Sequence, residues 1–124
     1  VMVNRDLMLK WIKALRSGDY PQIRGFLHTT EGLDALGVLC DVVDPQGWDI
    51  ENPHHSMATK PYPARTFYDF TWKGVSSTYV LPEPLQDYLG VPHNFCYQMV
   101  EFNDKRGMDF NQIADMLERI YIVN

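Results

Sequence analysis

His54 and His55, with Cys40, Asp41 and Asp44 upstream, are residue types that hold zinc. Structural zinc sites use closely spaced ligand pairs such as C-x-x-C, which this chain lacks, and adjacent histidines on an extended segment point in divergent directions. Cys40 or Cys96 with His28, His54, His55 or His93 has the composition of a thiol nucleophile and its base. A reactive thiolate needs a partly exposed, electropositive setting, whereas both cysteines lie among Val, Leu, Phe and Tyr; they read as buried thiols. No G-x-S-x-G elbow frames a serine. Gly25, Gly32 and Gly37 do not take up a Walker A or G-x-G-x-x-G spacing, and Asp34, in the first turn of the helix after Gly32, supplies an anion to the amides there. The chain is therefore expected to have no catalytic residue, cofactor or metal ligand. A hydrolase using Asp or His of the long loop would require those groups to converge in a cleft.

Aromatic side chains carry the stronger signal. Trp48, Tyr62, Phe67, Tyr68, Phe70, Trp72 and Tyr79 gather where a long loop meets a strand pair. A hairpin hides one face, so Tyr and Trp on the other would suit a protein hot spot or stacking on a planar ligand. The same residues also suit the core of a small mixed domain. Read as a surface, the partner-binding set is Trp48, Asp49, Tyr62, Arg65, Tyr68, Asp69 and Trp72, with the acidic residues and Glu51 forming a rim that assists encounter. Read as a pocket, the aromatic faces would sequester a nucleotide-like ligand whose phosphates meet Lys60, Arg65 and Lys73.

The elements that must position these residues follow from capping and periodicity. Asn4 caps a first helix whose face is Leu7, Trp11, Ala14 and Leu15, and Gly18 stops it. After Tyr20-Pro21, residues 22–30 are extended or looped. The apolar run from Leu33 to Val43 predicts a short central helix ended by Pro45; Gly37 inside it costs about 1 kcal/mol relative to Ala and implies close approach of another element. From Gln46 to Pro63 neither periodicity survives, which predicts a long loop. Alternation over Thr66 to Trp72, then Ser77 to Leu81 after Lys73-Gly74-Val75-Ser76, predicts one β-hairpin. Pro82 and Pro84 open a short helix with Leu85, Tyr88 and Leu89 that Gly90 closes. Phe95, Cys96, Met99 and Val100 repeat at helical spacing before a turn at Asn103 to Gly107.

The closing segment, Asp109 to Tyr121, has a capping box in Asp109 and Gln112 and one apolar face in Phe110, Ile113, Ala114, Leu117 and Tyr121. It reads like half of a helix-turn-helix, but the recognition helix that would enter a major groove is not in this sequence. The last helix is expected to pack on the one before it. The whole is an α+β domain, mainly helical, with about five short helices and one hairpin, spanning residues 1–124 as one unit.

Composition bounds the function. With 124 residues, 45% hydrophobic and 22% charged, the chain suits one globular domain with a real core. Its net charge of −5 argues against generic nucleic-acid binding, which draws affinity from Lys and Arg on phosphates. Residues 1–6 lack a charged head followed by an apolar run, and no stretch approaches the ~18 apolar residues of a membrane span, which points to a cytoplasmic protein without a membrane partner.

Several stretches together carry a resemblance: 11–20 (Trp11, Ala14, Leu15, Ser17, Gly18, Tyr20), Leu36-Gly37-Val38-Leu39-Cys40-Asp41, Leu81-Pro82, Tyr88-Leu89-Gly90, and Phe102-Asn103-Asp104 followed by Phe110 to Asp115. In this order they resemble a family of small proteins, mostly uncharacterised, encoded by tailed bacteriophages and bacterial genomes. Such relatives often carry a second cysteine before the Leu-Gly-Val-Leu-Cys segment, where this chain has Asp34 and Ala35, so no shared cysteine metal site carries over. The resemblance implies a phage or prophage accessory protein. Taken with the aromatic loop and hairpin, Trp48 to Tyr79, the leading expectation is a non-enzymatic protein that binds and occludes a host protein, such as a defence component, inside the host cell.

Overall fold

A computed structural model describes residues 2–50, 66–92 and 94–123. Helix α1, Arg5–Arg16, starts where the Asn4 side chain accepts from the Leu7 amide at 3.2 Å, and Gly18, at φ +79°, turns the chain away after it. Its buried stripe is Leu7, Met8, Trp11, Ile12 and Leu15. Residues 22–33 then bend through 24–27 into a short hairpin: β1, His28–Thr29, pairs antiparallel with β2, Gly32–Leu33, and the Ile23 amide donates to the Leu33 carbonyl at 2.9 Å. Helix α2, Ala35–Val43, begins two residues later than its apolar run suggests. Asp34 is its N-cap rather than a first-turn residue: the buried carboxylate accepts from the Gly37 amide at 2.7 Å, leaving Leu33 in the strand.

A three-stranded antiparallel sheet of order β3-β4-β5 follows, built from β3 (Trp48–Ile50), β4 (Tyr68–Trp72) and β5 (Val75–Ser77). It corrects the expected hairpin in two ways. Its second strand is 75–77 instead of 77–81, because Lys73 and Gly74 both take positive φ, 49° and 79°, the geometry of a two-residue type I′ turn. A further strand, β3, occupies the start of the stretch read as loop; residues 51–63 of that stretch lie outside the described residues.

Three shorter helical pieces complete the chain before its last helix. Helix α3 is Glu83–Leu89, closed by Gly90 in the left-handed region at φ 78°. A Cβ on Gly90 would strike the Met2 carbonyl, so glycine lets the chain entering α1 lie against it, where the Asn4 amide donates to the Leu89 carbonyl at 2.7 Å. Helix α4, Phe95–Val100, runs directly into a π-helical turn, Glu101–Lys105, so the expected turn begins later and Asn103 is buried within a helical coil.

Helix α5, Phe110–Tyr121, has the reciprocal cap the sequence encodes: Asp109 accepts from the Gln112 amide at 2.8 Å and Gln112 Oε1 from the Asp109 amide at 2.9 Å. Its main partner is α1, not the preceding α4. The reason is length: α1 offers an apolar stripe over 12 residues, α4 only six. Arg16 seals the rim of the α1–α5 seam on Asp115 at 2.7 Å and Glu118 at 3.1 Å. Among the described residues the fold is α+β, five α-helices with two small antiparallel sheets.

The core sits between α1, α2, α3, α4, α5 and the inner face of the larger sheet. Trp11, fully buried, meets Phe95 edge-on at 5.9 Å, and its indole N–H donates to the Ala35 carbonyl at 2.9 Å. Gly37 does what its place in the helix implies: a Cβ there would collide with the Leu27 carbonyl oxygen, so the β1 segment crosses α2 at van der Waals distance.

Candidate functional site

Strand alternation decides how the predicted recognition residues are displayed. Trp48 pairs with Phe70 and Ile50 with Tyr68, so Trp48, Ile50, Tyr68, Phe70 and Trp72 share one face, while Asp49, Asp69 and Thr71 share the other. Among the described members of the expected surface, the aromatic anchors Trp48, Tyr68 and Trp72 therefore lie on the face opposite Asp49 and Asp69. Tyr62 and Arg65, like Lys60, His54, His55 and His93, lie outside the described residues.

On the aromatic face, Phe70 is wholly buried and Trp48 half-buried against it, ring centroids 5.0 Å apart. His28 stacks on Tyr68 at 4.3 Å and meets the edge of Trp48 at 4.9 Å. Its Nδ1 lies 2.8 Å from the Gly32 carbonyl, an acceptor, which places a proton on Nδ1. Asp41 is fully engaged: Trp48 donates its indole N–H to one oxygen at 3.2 Å and Tyr20 its hydroxyl to the other at 2.8 Å. Burial, and then the Asp41 carboxylate, push the Tyr20 phenol up to about 12, so it remains a donor at neutral pH. Asp41 is thus a bracket joining α2, the segment after α1 and β3.

The polar face carries Asp49 directly opposite Asp69, a like-charge pair that costs stability. Hydroxyls offset it: Thr78 donates to Asp69 at 2.6 Å and Thr71 to Asp49 at 3.4 Å. Phe67, just before this strand, is buried under Phe26 at 4.5 Å, and Phe26 in turn meets the exposed Tyr79 at 5.4 Å.

At the hairpin tip the arrangement opens to solvent. Trp72, half-buried, lies 5.3 Å from the exposed Tyr88 of α3, and the Lys73 ammonium sits 4.7 Å above the Trp72 ring and 5.9 Å from that of Tyr88. Val75, directly opposite Trp72 in the register, is also exposed. Tyr88 was read from the sequence only as part of a core helix. Spacing does not separate it, since Tyr88 is three residues after Leu85 and shares its side of the helix; its exposure is decided by what packs over that turn.

The two thiols are not poised for chemistry. Cys40 is completely buried and Cys96 nearly so, and burial raises both thiols. No group of three or more His, Cys, Asp and Glu side chains suited to a metal ion occurs among the described residues. The helix start after Gly32 is occupied by the Asp34 carboxylate. No helix among the described residues is long and apolar enough to cross a membrane.

What sequence reasoning missed altogether is a buried polar network around the π turn. Asn103 Oδ1 accepts from Gln22 Nε2 at 2.8 Å and from the Ala35 amide at 3.3 Å, and its Nδ2 donates to the Ile23 carbonyl at 2.9 Å and to Asp104 at 2.8 Å. Asp104 also accepts from the Gly25 amide at 3.0 Å. Every capacity of the Asn103 amide is used, which offsets the weaker geometry of a π turn.

No curated protein and no solved structure matches the chain. A family model, Domain of unknown function (DUF8296), matches residues 3–121, a span that takes in both the hairpin tip and the Asn103 network, and the chain belongs to that family.

Proposed function

We propose that this chain is a non-enzymatic accessory protein of phage or prophage origin that acts in the host cytoplasm by binding and occluding a host protein. The observation that carries the reading is the hairpin tip. Trp72, Tyr88 and Val75 form an apolar patch with two aromatic rings in contact and a lysine held over both. Aromatic rings with a fixed geometry and a bordering cation are the composition of protein hot spots. On this reading recognition centres on the tip of the stretch Trp48 to Tyr79, together with Tyr88 from α3. Trp48 and Tyr68 share its face of the sheet, packed on Phe70 and His28. The phage context rests on the resemblance carried by the stretches from Trp11 to Asp115.

Site-specific photo-crosslinking in bacterial cells tests this reading. A crosslinker at Val75 or Tyr88 is expected to give a discrete protein adduct that weakens in the Lys73→Glu variant. Adducts no more abundant than those from exposed Lys10 on α1 would overturn it.

A further inference from the structure

A second concavity lies away from the hairpin, between α4, the π turn and α5. Its volume is about 570 Å³, within the range of small-molecule sites. Tyr97 and Ile120 flank it and are 76% and 60% exposed, far more than core residues, while half-buried Phe102 forms its floor. The π turn makes this floor. By widening the coil between Val100 and Arg106 it places Phe102 and Arg106 at one groove, and the Asn103 network behind holds the turn in that form.

The charge at the groove is specific. The Arg106 guanidinium stands 5.6 Å from the Phe102 ring, with Nε 3.9 Å from Glu101. Lys105 also reaches Glu101, at 3.7 Å. Lys105 and Arg106 thus share the Glu101 carboxylate, while Asp104, the other carboxylate of the turn, is taken up by Asn103 and the Gly25 amide. Both Arg106 terminal nitrogens are without a partner among the described residues, and the Asn94 side chain makes no cap hydrogen bond. Aromatic walls, the two terminal guanidinium nitrogens of Arg106 and an amide at the rim together match one ligand chemistry: a flat ring carrying an anionic group.

We propose that the α4–α5 groove binds a planar aromatic anion, its ring against Tyr97, Phe102 and Ile120 and its charge on Arg106. This site is independent of the hairpin tip and of the Lys60, Arg65 and Lys73 cations considered from sequence.

The test is an amide-resolved NMR titration of the full chain with adenosine monophosphate, adenosine and benzoate. The monophosphate is expected to give saturable shifts at Tyr97, Gln98, Phe102 and Ile120, with adenosine about two- to fivefold weaker, the scale of an exposed ion contact. Arg106→Gln should bring the monophosphate down to the adenosine level, Arg106→Lys should keep part of the difference, and Tyr97→Ala should weaken both. Benzoate shifting the same amides would extend the site to aromatic carboxylates; benzoate shifting none would confine it to phosphates. Non-saturable shifts, shifts mapping elsewhere, or an unchanged monophosphate-to-adenosine ratio in Arg106→Gln would overturn the proposal. Both side chains are exposed, so the variants' melting temperatures are expected to match that of the parent chain.

Discussion

Gln22 donates its side-chain amide to Asn103 at 2.8 Å across 81 residues of sequence, and in doing so ties the extended segment after α1 to the π turn before α5. Gln22 Nε2 also donates to the Met108 carbonyl at 2.8 Å, so one side chain spans both ends of the turn that leads into the last helix. Removing the Asn103 amide leaves the buried Ala35 amide without its acceptor and takes one partner from Gln22 and the Ile23 carbonyl, both half-buried. Asn103→Leu is expected to destabilise the fold by about 3 kcal/mol or more, read as a lower urea midpoint. Asn103→Asp should be comparably harmful, since it loses the donor and places a carboxylate beside Asp104 and near Asp34.

Gly37 tests whether propensity or packing governs α2. Helix propensity alone favours Gly37→Ala by about 1 kcal/mol. The Leu27 carbonyl occupies the space the methyl would need, and backbone cannot swing aside as a side chain does. The expected outcome is a net loss of about 2 kcal/mol in chemical denaturation, the opposite sign to propensity.

Asp34 gives a pH dependence of known sign. Burial raises its carboxyl well above the ordinary 3.8, and hydrogen bonds from the Gly37 and Leu36 amides oppose that only in part. The folded state therefore binds this proton more tightly than the unfolded chain. The associated stability is fully present below about pH 4 and is lost as pH rises through the elevated folded value. Asp34→Asn keeps a capping oxygen without the charge, so its stability relative to the parent should improve steadily as pH rises above about 4. Urea midpoints of both proteins across this range provide the measurement; parallel curves would refute the assignment.

Lys73 occupies the first central position of the type I′ turn at φ 49°, where Asn is preferred over most residues. Lys73→Asn is expected to stabilise the hairpin by about 0.5 kcal/mol in thermal unfolding while removing the cation above Trp72 and Tyr88. If the hairpin tip binds a partner, this variant becomes more stable and binds less well, which separates folding from recognition.

The sequence by itself determined the local structure wherever a residue's own chemistry suffices. Asn4, Asp109 with Gln112, and Gly90 mark helix ends because caps act over three or four residues. The buried faces of α1 and α5 follow from their 3.6-residue periodicity, and the close approach at Gly37 follows from a glycine that is otherwise costly in a helix. Even the separation of Trp48 from Asp49 was implicit in the alternation of a strand.

Tertiary structure decided what depends on distant partners. Trp48–Ile50 is a strand only because β4 supplies hydrogen bonds from some twenty residues away, and so short a segment has no period to read. The choice of α1 over α4 as the partner of α5 came from matching apolar stripes across the whole chain. Whether an aromatic is core or surface was settled by what covers it: Phe70 is sealed, Trp72 is half-covered, and Tyr88 faces water. The Asn103 network and the groove beside it were invisible for the same reason, since a lone asparagine after an apolar helix reads as a turn until Gln22, 81 residues earlier, is folded onto it.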